Sequence, residues 1–161
     1  MGTAFQAKND IDAALENYKK AAALNPKEPT YKQVIRQANQ AKAAPLVNRA
    51  IEKQTKANDL PGAIADYEEA LRLDPDDAST HMNLGTAYQA ANKLPQAAAE
   101  YAKSVQLDPK NADVHYFLAT VYETMVKKPQ AIQEYETYLR MAPTGSYAAD
   151  VRTRLKTLRG R

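Results

Sequence analysis

The chain has 161 residues, 44% of them hydrophobic and 25% charged, a globular balance that excludes wholesale disorder and collagen-like or mucin-like organisation. Its formal charge of +3 is a property of the last ten residues: Arg152, Arg154, Lys156, Arg159 and Arg161 stand there without an acid, while the other 151 hold 17 basic against 19 acidic residues. No run approaches the ~18 apolar residues of a membrane span, and without cysteine there is no disulfide framework, thiolate metal site or cysteine nucleophile.

That cysteine content suits reducing and oxidising compartments alike, so composition assigns no localisation. Basic residues are not spread over a face with aromatics between them, so no nucleic-acid partner is expected, and no membrane insertion either. Organisation comes from proline. Pro75, Pro109 and Pro143 are spaced by 34, and Pro61, Pro95 and Pro129 repeat that spacing fourteen residues earlier in each unit. Self-similarity at such a period marks a repeat architecture, in which each unit is one supersecondary element stacked on its neighbours.

In chain order, Pro26 precedes Pro75 by 49 residues, one period and a further 15, which predicts an inserted helix over residues 29–43. Tyr31, Val34, Ile35 and Ala38 form its apolar stripe, and Pro45 either opens a new helix or kinks a single long one. The units 44–77, 78–111 and 112–145 follow, each a helical hairpin. In the second, His81, Leu84, Tyr88 and Ala91 recur at intervals of three and four, and Ala97, Tyr101, Ser104 and Val105 do so after Pro95. Asn58 and Asn92 stand between the helices, where Asn takes the left-handed conformation, and Pro61, Pro95 and Pro129 fall in the first turn of the second helix. Asp74-Pro75 and Asp108-Pro109 stop that helix, and Asp77, Ser79 and Asn111 lie where caps for the next are wanted. Ala63, Ala97 and Ala131, each with a tyrosine four residues on, predict close helix crossings with the ring filling the space beside them. From Ser146 onward Tyr147, Val151, Leu155 and Leu158 form one stripe of a capping helix, with the arginines on its other, solvated faces.

The order Leu84-Gly85-x-x-Tyr88, Ala97-x-x-x-Tyr101, Pro109 resembles the tetratricopeptide repeat, and Tyr122, Ala131, Tyr135 and Pro143 match it again. The unit 44–77 fits at Ala63, Tyr67, Ala70 and Pro75 but carries Ile51 and Gln54 where small and aromatic residues are expected. Gly2, Phe5, Ala14, Tyr18, Ala21 and Pro26 fit too, so residues 1–28 read as a partial repeat lacking the start of its first helix, within a longer array. The fold expected is all-α, a right-handed solenoid of antiparallel helical hairpins, with the inserted helix and a C-terminal capping helix over residues 146–161.

By that resemblance the function expected is non-catalytic: a peptide or helix of a partner protein held in the concave groove lined by the first helices. Its candidate residues are Asn48, Glu52, Met82, Asn83, Thr86, Gln89, Tyr116, Phe117, Thr120 and Glu123, with Arg49, Lys56 and Asp113 beside them. Met82, Tyr116 and Phe117 are the apolar anchors. Opposed charges interleave there, so removing residues 152–161 should leave binding nearly unchanged. Family adaptors that grip the C-terminal carboxylate of heat-shock chaperones use lysines, an arginine and asparagines on these faces. At the matching places this chain has Asn48, Glu52, Asn83, Asp113 and Phe117, so only Asn83 agrees and the cationic clamp is missing. The asparagine ladder of glycosyltransferase superhelices is missing as well, since Arg49 and Phe117 flank Asn83. His81 and His115, 34 apart, are read as fillers of the repeat's aromatic position rather than metal ligands, and no cofactor is expected. Two further readings are a self-assembly element, with homo-oligomers formed through the truncated N-terminal edge, and a non-catalytic region of a larger protein or enzyme.

Overall fold

Helix boundaries follow the punctuation of the sequence. The computed structural model describes residues 2–25, 29–57 and 59–160, without the side chains of 2–11 and 57. Its helices are α1 (Gly2–Leu24), α2 (Pro29–Glu52), α3 (Leu60–Leu73), α4 (Ala78–Ala90), α5 (Leu94–Leu107), α6 (Ala112–Thr124), α7 (Lys128–Met141) and α8 (Ala148–Leu158), with a π-helical turn, Lys53–Ala57, after α2. Among the described residues there is no strand.

Pro61, Pro95 and Pro129 sit in the first turns of α3, α5 and α7, where a missing N–H leaves no bond unmade. Asp77 caps α4 by accepting from the Ser79 N–H at 3.0 Å, and Asn111 caps α6 by accepting from the Asp113 N–H at 3.2 Å. Ser79, one of the three expected caps, is thus the donor to a cap rather than a cap itself. Asn92 turns the second hairpin at φ 57°, while Asn58 lies outside the described residues.

The N-terminal third departs from the expected segmentation. Residues 2–24 form one uninterrupted helix rather than the end of one helix followed by a second. The helix expected over residues 29–43 does not stop there: α2 runs on through Pro45 to Glu52. An interior proline removes one helical hydrogen bond, but Pro45 and Ala41, whose carbonyl loses that donor, are both exposed. Water can therefore replace the bond.

Three hairpins, α2/α3, α4/α5 and α6/α7, stack as a solenoid with α1 against α2 at one end and α8 against α7 at the other. Ala63, Ala97 and Ala131 are fully buried, as are Tyr67, Tyr101 and Tyr135 one turn later, so the repeated Ala/Tyr interlock is the core of each hairpin. At the facing position of α4 only hydrogen fits: a Cβ on Gly85 would lie 2.8 Å from Tyr101 ring carbons. Val151 and Leu155 of α8 close the last hairpin by burying themselves against Ala131, Tyr135 and Tyr138.

Candidate functional site

Stacking the hairpins lines up α4, α6 and α8 along one side of the solenoid. A cavity of about 570 Å³ lies there, lined by Thr86 and Gln89 of α4, Tyr101 of α5, Tyr116, Phe117, Thr120, Glu123 and Thr124 of α6, and Arg154 of α8. Six of the ten candidates (Thr86, Gln89, Tyr116, Phe117, Thr120 and Glu123) therefore converge. The repeat explains why, since Thr86, Thr120 and Arg154 are spaced by 34, and so are Gln89 and Glu123.

The other four lie elsewhere. Met82 is partly buried against the core cluster that holds Ala97, Tyr101, Val114 and Leu118, and Asn83 is not among the residues lining this cavity. Asn48 lines a separate cavity of about 450 Å³ with Gln40, Val47, Asp74, Asp76 and Asp77, and Glu52 is exposed and pairs with Lys56 at 3.2 Å. Arg49 turns away to Asp66 of α3, which it meets at 2.5 and 2.7 Å, while Lys53 reaches the same carboxylate at 2.8 Å. The long α2 and its π-helical turn give the first hairpin its own register. Tyr67 donates to Gln54, thirteen residues back, whereas Tyr101 and Tyr135 donate to Gln89 and Glu123, twelve back.

Polar order in the cavity is extensive. Tyr101 donates to Gln89 Oε1 at 3.0 Å, and its hydroxyl lies 3.0 Å from Thr86 Oγ1; burial pushes this phenol up to about 12. Gln89 bridges the two repeats through an N–H donated to Thr120 Oγ1 at 3.2 Å. Tyr135 donates to Glu123 Oε2 at 2.7 Å, and Arg154 Nη1 donates to the same oxygen at 3.0 Å. Arg154 also donates from Nε to Asp150 Oδ2 at 2.6 Å, and that bond, with Glu123, raises its pKa further and keeps it charged. Among the rings, Phe117 stacks on Tyr101 with centroids 5.8 Å apart, and Tyr116 lies flat on Tyr147 at 4.0 Å while donating to Asp150 at 3.1 Å.

Tyr101, Thr124 and Arg154 line the cavity without being among the candidates that the sequence offers. Tyr101 reads as core from its spacing, and its ring is, but its hydroxyl end reaches the cavity. Arg154 was expected on a solvated face of the cap; continuing the 34-residue period past Thr120 would have placed it here. Two other tail cations are also engaged, Arg152 with the Pro143 carbonyl at 2.6 Å and Arg159 with Glu136.

His81 and His115 are buried and each faces a carboxylate of its own hairpin, Glu100 and Glu134, at 2.6 Å. Among the described residues no group of His, Cys, Asp or Glu is arranged to hold a metal ion, and no helix is long and apolar enough to cross a membrane.

The architecture agrees with comparisons to known proteins. Profiles described as tetratricopeptide repeat match residues 1–28 and 82–146, and one described as TPR repeat matches 54–92. The chain belongs to the tetratricopeptide repeat family. No curated protein matches its sequence. Among solved tetratricopeptide-like folds, it is similar to MamA at 21% identity over 99% of this chain and 85% of that one, with a TM-score of 0.68. It is similar as well to the TPR2B domain of yeast Sti1 in a complex with an Hsp70 peptide, at 22% identity over 74% and 98% of the two chains, TM-score 0.68. The first TPR domain of Spaghetti (RPAP3) bound to the HSP90 peptide SRMEEVD matches at 19% identity over 75% and 95%, TM-score 0.67.

Proposed function

We propose that this chain is a non-catalytic protein-interaction scaffold that holds an extended segment of a partner protein against the α4–α6–α8 face. The observation that carries the reading is the convergence of Phe117 and Tyr116 with the 34-spaced Thr86, Thr120 and Arg154 on one preformed cavity. Aromatic rings and polar groups lining one depression are the kind of arrangement in which a few anchors supply most of the binding energy. The lining offers no nucleophile with a base beside it: its carboxylate, Glu123, is already held by Tyr135 and Arg154. The peptide complexes of the Sti1 and Spaghetti domains support the reading at the level of the fold. An acidic tail such as SRMEEVD is not the segment favoured here, because the places of the cationic clamp hold Asn48, Glu52, Asp113 and Phe117.

The test is selection of binders from a displayed random-peptide library on the immobilised protein. Selected peptides should lose about fivefold or more in affinity on Phe117→Ala, checked for retained helicity, and keep it on Glu52→Ala. Peptides indifferent to Phe117→Ala would refute the reading.

Self-association through α1 is a second reading, supported by Leu24, which is 88% exposed, and by the partly exposed Tyr18 on the same helix. Light scattering over rising concentration addresses it: a constant monomer mass removes it, and a mass that rises in the parent but not in Leu24→Ser supports it.

A further inference from the structure

Around the α4–α6–α8 cavity the hydroxyl protons are all committed inside the protein. Thr86 Oγ1 donates to the Met82 carbonyl at 3.1 Å, Thr120 to the Phe117 carbonyl at 2.7 Å and Thr124 to the Thr120 carbonyl at 2.9 Å. A hydroxyl has one proton and two lone pairs, so each of these threonines has spent its donor inside the protein and keeps acceptor capacity. Tyr101 has spent its own on Gln89. Arg154 commits Nε and one Nη1 proton to Asp150 and Glu123; its other N–H groups and the second amide N–H of Gln89 are the donors that remain in the lining.

A carboxylate acceptor remains open as well. Glu123 takes both of its bonds on Oε2, which leaves Oε1 without a partner among the described residues, on a side chain that is 27% exposed. Formal charge leans the same way. Glu123 and Asp150 share the single guanidinium of Arg154, and Asp113 lies on the face of α6 that carries Tyr116, Phe117 and Thr120, at offsets of three, four and seven. A ligand bringing carboxylates would find its N–H donors on a guanidinium that two carboxylates already share, whereas one bringing N–H donors on a cation meets the open Glu123 oxygen, the threonine lone pairs and the excess negative charge. The rings of Phe117 and Tyr116 add an apolar face on which the stem or plane of such a side chain can lie.

We propose that the partner segment is anchored in this cavity by an arginine side chain, its guanidinium at Glu123 Oε1 and its stem against the Phe117 ring. Arginine suits the site better than lysine because a planar fork of five donors can serve several fixed acceptors at once. The proposal rests on the reading of this face as a peptide site and adds the chemistry of the occupant.

Three capped probes that differ at one side chain test it: acetyl-Ala-Arg-Ala-amide and its citrulline and glutamate counterparts, titrated into isotope-labelled protein and followed by amide shifts. The arginine peptide should move Thr120, Glu123, Thr124 and Arg154, and the citrulline peptide, same shape without charge, should bind about tenfold more weakly. The arginine affinity should fall as salt rises and drop similarly on Glu123→Gln, which retains an acceptor for Tyr135. Equal binding by the citrulline or glutamate peptide at those amides would overturn the arginine anchor while leaving a peptide groove in place. An arginine peptide that leaves those four amides unmoved at saturating concentration would overturn the anchor too; the groove itself is judged separately, by the Phe117→Ala response of the library-selected peptides.

Discussion

His81 and Glu100 meet at 2.6 Å across the second hairpin, and the opposite nitrogen of the same ring lies 3.1 Å from the carbonyl oxygen of Pro75. Both partners are acceptors, and a neutral imidazole has one N–H, so only the protonated ring satisfies both. Burial lowers the His81 pKa, but the bonds to Glu100 and Pro75 outweigh that and Lys103 together, and the net direction is upward. Stabilisation by this group is therefore complete below the ordinary histidine value and is lost as pH rises through the folded one. The expected outcome is a melting temperature that declines between about pH 6 and pH 8 in the parent and declines less in His81→Phe. A histidine titration by NMR with an unshifted or lowered His81 value would contradict it.

Asp66 gives the opposite dependence. The Arg49 guanidinium, helped by Lys53, holds this buried carboxylate at about 2 against an ordinary 3.8. A depressed folded value contributes stability above pH 3.8 that disappears as pH falls through about 2, worth on the order of 1–2 kcal/mol once the exposure of Arg49 is allowed for. Asp66→Asn should destabilise by that amount near neutrality, and urea melts of the two proteins should converge at the acid end.

Core spacing is tested at Gly85 and Ala97. Alanine in place of a helical glycine normally gains about 1 kcal/mol. Here the added methyl would strike the buried Tyr101 ring, so Gly85→Ala should lower stability by about 1 kcal/mol net. Ala97→Leu, at a fully buried crossing, should cost about 1–3 kcal/mol. Thermal melts within a degree of the parent would count against this packing.

Val126 turns the third hairpin at φ 59°, the place Asn92 occupies at φ 57° in the second, and it is 86% exposed. A β-branched residue in the left-handed region is strained, and nothing buried compensates. Val126→Asn should raise stability by about 1 kcal/mol, measured as a higher denaturant midpoint with an unchanged slope.

The cap is not dispensable. Leu155 is buried against the last hairpin and Arg154 lines the cavity, so deleting residues 152–161 takes away core and cavity lining together, where charge alone predicts nearly unchanged binding. Leu155→Ala should cost about 2–4 kcal/mol by chemical denaturation. Arg154→Gln, which keeps the stem as far as Cδ and removes the guanidinium, isolates the contribution to the cavity and should alter the affinity of library-selected peptides with little loss of helicity.

By itself the sequence determined the hairpins, their period and the core that closes them. Pro61, Pro95 and Pro129 begin helices, Asp77 and Asn111 cap them, and the Ala/Tyr pairs interlock, because backbone sterics and contacts three or four residues apart act within one hairpin and repeat with it. The tertiary structure decided what depends on how hairpins stack and on which hydrogen bonds close between them. Spacing cannot say that exposure of Pro45 lets α2 run through it, that Glu52 and Asn48 leave the groove while Arg154 joins it, or that Pro75 gives His81 a second acceptor. Those outcomes turn on rigid-body placement of one helix against the next, and on a carboxylate choosing among several cations within reach, neither of which is written in a local pattern.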